Sequence, residues 1–254
     1  MDEGGQERKP LLVTEASLAA ANRGWAPLRS RGELPHLFKP GGTYFVTYRL
    51  WDAVVPADER PTTPEPSPDD PEAVAAYYEP PLRAGSCVLG RPEVAGIVIE
   101  ALEHFDGQRY ALHAWCVMPN HVHVVVTPAD GHGLSAILHT WKSFTAKAVN
   151  RVLGRTGALW ERESFDHLVR SFASFRKLVD YTVNNPVKAG WCAQPEEWAF
   201  SSVSWSRGAG KMPAPQAEAT GAGRMPAPQA DGPVAGKMPA PPDTGGDGRG
   251  RVLE

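Results

Sequence analysis

The 254-residue chain holds only three cysteines, Cys87, Cys116 and Cys192. None forms a Cys-x-x-Cys pair, so neither a zinc knuckle nor a disulfide framework is expected. No run of about 18 apolar residues occurs, and no membrane span is expected. The stretch Met1-Asp-Glu-Gly-Gly-Gln6 is acidic and lacks the apolar core of a secretion signal. A cytoplasmic protein with reduced thiols is the expectation that follows. A Gly-x-x-x-x-Gly-Lys-Ser/Thr phosphate loop is also absent, which argues against chemistry driven by nucleotide hydrolysis.

Proline and glycine, at 25 residues each, are in excess. An ordinary chain has roughly 5% proline, and here the surplus is local. Gly210-Lys-Met-Pro-Ala-Pro-Gln-Ala217 recurs as Gly223-Arg-Met-Pro-Ala-Pro-Gln-Ala230 and again as Gly236-Lys-Met-Pro-Ala-Pro241. Units with no large apolar residue except methionine cannot bury enough surface to offset chain entropy. Residues 207–254 are therefore expected to be a disordered repeat tail, and residues 1–32 a flexible N-terminal segment. The folded domain is expected over 33–206, interrupted by an acidic, proline-rich surface loop at 52–80.

The net charge of −3 conceals an asymmetry. From Gly131 to Gly190 there are nine Lys and Arg against four Asp and Glu, whereas Asp52 to Pro80 holds one against eight. A basic block suits a polyanion such as nucleic acid, although a solvated helix face has the same composition.

Hydrophobic period separates the elements. Thr43-Tyr-Phe-Val-Thr-Tyr-Arg-Leu50 is aromatic and β-branched, and reads as a strand after Pro40-Gly-Gly42. Pro92 to Phe105 has helical spacing, with proline in the first turn. Tyr110–Met118 and His121–Thr127 form a hairpin across Pro119-Asn120. Leu134–Leu153 reads as a long helix with Ile137, Leu138, Trp141, Phe144, Thr145, Ala148 and Val152 inward, stopped by Gly154. Residues 159–170 are extended in part. Phe172–Asn185 is the last helix, with Pro186 ending it by disfavouring the α conformation of its predecessor. The order β-α-β-β-α-β-α predicts an α+β, ferredoxin-like domain: a small antiparallel sheet with helices on one face.

Two motifs carry chemistry. In Asn120-His-Val-His-Val-Val-Val-Thr127 the period of two puts His121 and His123 on the same face of a strand. Two imidazoles so placed can share one divalent metal, but they also suit a half-exposed strand face. Tyr181 and Asn185, four apart, share one face of the last helix. A tyrosine hydroxyl can attack phosphorus, and an amide oxygen can bind a hard cation such as Mg2+ or Mn2+. Packing for the tyrosine and helix capping for the asparagine are the plainer roles. Trp141, Phe144 and Trp160 are expected in the core rather than as platforms for bases.

The histidine strand, Trp141-Lys-Ser-Phe144, Trp160-Glu-Arg-Glu-Ser-Phe-Asp-His167 and Tyr181-Thr-Val-Asn-Asn-Pro-Val-Lys-Ala-Gly190 occur in this order. Together with Leu34–Tyr48 and Pro195–Ser202, they resemble the single-tyrosine HUH transposases. The closer likeness is to the REP-associated tyrosine transposases of bacteria, over about residues 30–205. The resemblance implies that His121 and His123 bind the metal and that Asn185 completes its site. It implies that Tyr181 forms a 5′-phosphotyrosine bond to single-stranded DNA. Rejoining would then need no ATP, because the linkage keeps the bond energy. A divalent metal, Mg2+ or Mn2+, would be the cofactor and single-stranded or hairpin DNA the partner. The protein would act as a monomer or homodimer at the nucleoid of a bacterial cytoplasm, away from any membrane. Lys142, Lys147, Arg151, Arg162, Arg170 and Lys188 are then candidates for phosphate contacts.

Two other readings remain at this stage. A non-catalytic repeat-DNA-binding protein of the same fold would share most of these features. A metal-dependent nuclease would need a further carboxylate, for which Glu163 or Asp166 is available. The repeat tail has its own two readings: a Pro/Ala linker, or palindromic DNA translated at a fixed spacing. Met-Pro-Ala-Pro can be encoded by ATG CCG GCG CCG, which contains the self-complementary CGGCGCCG, so hairpins in the coding DNA would distinguish them.

Overall fold

The computed structural model describes residues 14–21, 28–30, 35–37, 39–53, 66–67, 70–77 and 85–205. The repeat tail at 207–254 lies outside them. Its expected disorder, like much of the N-terminal segment's, is thus outside the described structure. Within that segment, however, helix α1 (Glu15–Ala21) forms, and strand β1 (Leu28–Ser30) pairs antiparallel with β2 (Pro35–Leu37). The 1–32 segment is therefore not featureless.

Four strands make the main sheet: β3 (Tyr44–Arg49), β4 (Tyr110–Val117), β5 (His121–Pro128) and β6 (Phe165–Leu168). Their order is β4-β5-β3-β6, and every pair is antiparallel. The two central strands are the first and third of the sheet, as a ferredoxin-like βαββαβ chain requires. Helix α3 (Pro92–Glu103) links β3 to β4, and α4 (Leu134–Val152) links β5 to β6. Pro92 occupies the first turn of α3, where its missing N–H costs nothing.

Both crossover helices cover one face of the sheet. Tyr44, Val46, Tyr48, Trp115, Val117, Val122, Val124 and Val126 meet Val98, Ile99 and Leu102 of α3 and Ile137, Leu138 and Trp141 of α4. Trp141 donates its indole N–H to the Tyr110 hydroxyl, which donates in turn to the Leu102 carbonyl. These bonds let two aromatic side chains carry polar atoms into an apolar core.

The last helix, α5 (Phe172–Lys188), lies on the opposite face. Leu178 and Tyr181 pack there against Phe45, Ala114 and Val125. The expectation of helices on one face thus holds for the two crossovers, while the tyrosine helix is added beneath the sheet. Strand β5 is consequently covered on both sides. That is why it reads as a near-continuous β-branched run interrupted only by two histidines.

Three local expectations need correction. Pro186 does not end α5, which runs on to Lys188. Gly190, at φ 72°, ends it with Trp191 N–H donating to Pro186 O and Gly190 N–H to Val187 O. The acidic loop contains helix α2 (Pro71–Tyr77), whose Val74 and Ala75 are buried, with Ala75 in the cluster under α5. Phe144 and Val152 of α4 are exposed, at 54% and 53%. The buried stripe runs through Leu134, Ile137, Leu138, Trp141, Thr145 and Val149, and Phe144 stands about 90° from its middle at 100° per residue. Val152 is the final helical residue. Trp141 and Trp160 are buried as expected.

His113 occupies the irregular register of β4. Its ring lies edge-on to Phe175, and its Nε2 hydrogen bonds to Thr127 Oγ1 at 2.8 Å. Burial pushes its pKa down to about 4. The unfolded chain therefore binds a proton in the window from about 6.5 down to 4 that the folded chain refuses, so stability falls with acidification there. The full effect is at most about 3 kcal/mol. We expect the thermal midpoint to drop across this window and the drop to shrink in His113→Gln. His167, whose pKa is also lowered by burial and then by the Arg170 charge, supplies a residual slope. Identical pH profiles for the two proteins would refute the assignment to His113.

Candidate active site beneath the sheet

Cross-strand pairing arranges the lower face of the sheet in rows. His121 stands opposite Arg49, and Glu161 follows Arg49 through the bridge between Leu50 and Trp160. In the next row Cys116, His123, Thr47 and Phe165 lie side by side. The third row holds Ala114, Val125, Phe45 and His167. Directly paired residues on a face have Cβ atoms about 5 Å apart, so neighbours within a row touch.

The histidines converge. Their Nε2 atoms are 3.0 Å apart, and the rings meet at 74°. The far side of each ring is held. Asn120 Oδ1 lies 2.8 Å from Nδ1 of His121, and Thr47 Oγ1 lies 2.8 Å from Nδ1 of His123. Phe45 stacks on His123 with centroids 5.4 Å apart. Both histidines are wholly buried. The half-exposed strand face that spacing alone permitted is therefore replaced by an enclosed pair.

Helix α5 closes the site. The Tyr181 ring meets His123 edge-on at 5.6 Å and Phe45 at 5.8 Å. Tyr181 and Asn185 are 3% and 2% exposed. Lys188 follows Tyr181 by seven residues, two turns along the same helix, and its Nζ lies 4.6 Å from the Tyr181 centroid. The continuation of the helix past Pro186 thus places a cation beside the tyrosine.

The arrangement fits a divalent ion. Two bonds of about 2.1 Å at right angles hold their donor nitrogens about 3.0 Å apart, as the Nε2 atoms are here. If Asn120 and Thr47 each accept an Nδ1–H, both Nε2 lone pairs point at one spot. Two lone pairs facing each other at that distance repel unless a proton or a cation lies between them. Asn185 contributes an amide one helical turn from Tyr181 on the same helix. Among the described residues, no cluster of three or more His, Cys, Asp or Glu could hold a metal. Asp166 pairs with Val46 and so projects to the other face of the sheet. Glu163 is placed by its backbone, whose carbonyl accepts from Lys142.

The candidate phosphate contacts divide. Lys188 is brought to Tyr181. Lys142 instead bridges α4 to the carbonyls of Arg162 and Glu163 at 3.0 Å each, and burial lowers its pKa to about 8. It therefore ties α4 to the segment before β6. Lys147 and Arg151 are exposed on α4, across the sheet from the histidines, while Arg162 and Arg170 flank β6 and are exposed. Sequence reasoning missed Thr47, Asn120, Phe45 and Arg49. Cross-strand register brings Thr47, Phe45 and Arg49 to the histidines, and a chain read segment by segment does not contain register; Asn120 is the residue before His121 and turns its side chain back onto that ring.

No family model matches the chain. It is 30% identical over 93 residues to a REP-associated tyrosine transposase of Escherichia coli (strain K12), covering 37% of this chain and 54% of that protein. It is 26% identical over 113 residues to a Haemophilus influenzae protein provisionally given the same name, covering 41% and 62%. The chain thus spans little more than half the length of these relatives. A solved structure of a REP-associated tyrosine transposase bound to a REP hairpin overlaps 76% of this chain and 98% of its own, at 21% identity and a TM-score of 0.44. No helix among the described residues is long and apolar enough to cross a membrane. The motifs that resemble the REP-associated tyrosine transposases are thus accompanied by similarity, over part of their length, to curated proteins of that name.

Proposed function

We propose that this protein cleaves and rejoins single-stranded or hairpin DNA through a 5′-phosphotyrosine bond at Tyr181, with a divalent metal held by His121, His123 and Asn185. The observation that carries the reading is the packing of the Tyr181 ring on His123, one of two histidines whose Nε2 atoms are 3.0 Å apart. A packing tyrosine needs no such neighbour, and a buried histidine pair needs no tyrosine.

A divalent metal, Mg2+ or Mn2+, would be held by His121, His123 and Asn185 and would supply Lewis-acid stabilisation of charge on a non-bridging phosphate oxygen. The chain's own residues do the rest. Thr47 and Asn120 orient the imidazoles. Phe45 and Leu178 fix the Tyr181 ring and exclude water around it. The Tyr181 oxygen gives up a proton, which balances the one taken up by the departing 3′ oxygen, and forms a bond to phosphorus. The bond from phosphorus to the 3′ oxygen breaks, and that oxygen takes up a proton. Lys188, above the ring, is placed to meet the phosphate that the hydroxyl attacks. Reversal of the step by another 3′ hydroxyl rejoins the strand without ATP.

The relatives named as transposases support this reading. The test is incubation of the full chain with a panel of hairpin oligonucleotides bearing single-stranded flanks, with Mg2+ or Mn2+. A covalent adduct that survives denaturation is the expected product. Free 5′-phosphate ends without adduct would make the protein a nuclease, and a mobility shift alone would make it a binder. Either result overturns the proposal.

A further inference from the structure

We propose that Arg49 grips the scissile phosphate of the DNA strand and that Glu161 is its positioning residue. The inference rests on the function proposed above and extends it to a pair that neither the motifs nor the relatives assign.

Arg49 is the cross-strand neighbour of His121 on the face that bears Tyr181. Its guanidinium makes a two-pronged contact with Glu161, with Nε to Oε2 at 2.5 Å and a terminal nitrogen to Oε1 at 3.0 Å. The histidines, Tyr181 and Asn185 are almost completely covered, whereas the side chains of Arg49 and Glu161 are 21% and 26% exposed. The ion pair is therefore the part of the histidine row that meets solvent. An anion approaching His121 along this row encounters Arg49.

A purely structural role explains the pair poorly. Glu161 N–H already donates to the Arg49 carbonyl at 2.9 Å, and the bridge between Leu50 and Trp160 joins the same two segments. An ion pair this accessible adds little to stability. Its geometry does fit a task. The planar fork that grips a carboxylate matches two oxygens of a phosphate equally well. Glu161 thus holds the fork in a phosphate-ready orientation and neutralises it until the DNA arrives. At attack, charge grows on the non-bridging oxygens, and a fixed guanidinium stabilises that charge without reorganising.

The test uses the full chain and the hairpin oligonucleotide that gives the adduct. Arg49→Gln is expected to slow single-turnover cleavage at saturating DNA by on the order of 10²–10³-fold, and to weaken DNA binding. Glu161→Gln removes the competing carboxylate, so DNA should bind several-fold more tightly. A bridge that only holds segments together predicts the same loss from both variants. The sharper readout is a substrate with a neutral methylphosphonate at the scissile position. If Arg49 meets the phosphate charge, the gap between wild type and Arg49→Gln should collapse to less than about tenfold on that substrate. Arg49→Lys provides a charged control should the glutamine variant melt early.

Parallel losses of DNA binding in Arg49→Gln and Glu161→Gln, or an undiminished gap on the methylphosphonate, would overturn the assignment while leaving the tyrosine reading intact. Failure of the wild-type chain to form any adduct would overturn the tyrosine reading itself.

Discussion

Tyr181→Phe should form no covalent adduct with any hairpin oligonucleotide, while binding DNA almost as tightly as the parent chain. The substitution keeps the ring that packs edge-on against His123 and Phe45, so the contacts that seat α5 on the sheet persist. Only the oxygen is removed. Nucleophilic catalysis then has no attacking atom, and cleavage should fall below detection, a loss of at least about 10⁴-fold. Stability should change by less than about 1 kcal/mol, because a volume-conserving swap leaves no cavity. Denaturing gels report the adduct, fluorescence anisotropy the binding, and thermal melts the fold. An adduct surviving in Tyr181→Phe and mapped to another tyrosine would remove Tyr181 from the mechanism. Three of the four other described tyrosines make that outcome chemically awkward at their positions. Tyr44 donates to the Lys39 carbonyl, and Tyr110 is bonded between Leu102 and Trp141, with burial raising the pKa of both. The Tyr48 hydroxyl is sealed in the core, where desolvation raises its pKa strongly.

Much of this site was legible because its elements carry local signatures. The period of two in His121-Val-His123 fixed which side chains share a face, and the spacing of four in Tyr181–Asn185 did the same on the helix. The alternation of apolar residues gave the strand and helix order from which the four-stranded sheet follows. What remained hidden lies in relations between segments. The position of α5 under the sheet cannot be read from its own amphipathic pattern, because both sheet faces are apolar and either could receive it. Arg49 gave no sign of adjoining His121, since 71 positions separate them and only the β3–β5 register unites them. The end of α5 was misplaced for a different reason. Proline is costly within a helix, but here it falls in the last turn before a glycine cap, where few bonds remain to lose. Phe144 was assigned to the core because its hydrophobicity was weighed above its angular position on α4.

Removal of either imidazole should abolish cleavage and metal binding together. We expect His121→Ala and His123→Ala each to lower the single-turnover rate by at least about 10³-fold in saturating Mn2+, the scale on which losing a catalytic electrophile acts. Asn185→Ala should cost less, about 10–100-fold, and be partly recovered at higher Mn2+, because a neutral amide binds a cation more weakly than an imidazole does. Thr47→Val offers an independent check. It keeps the volume but removes the hydroxyl that holds Nδ1 of His123, and loss of such an outer partner typically weakens metal affinity 10–100-fold. Complete burial of both histidines adds a condition. Alanine leaves a cavity at either fully buried position, so each variant must be shown to remain folded. His123→Gln, which fills more of the space, serves where alanine melts. Calorimetric titration with Mn2+ measures binding without reference to activity, and a chelator should silence the parent chain reversibly. If the folded histidine variants bound Mn2+ as tightly as the parent, or if the parent cleaved fully after chelation and dialysis, the histidine pair would be a packing feature of β5 and the metal would lie elsewhere.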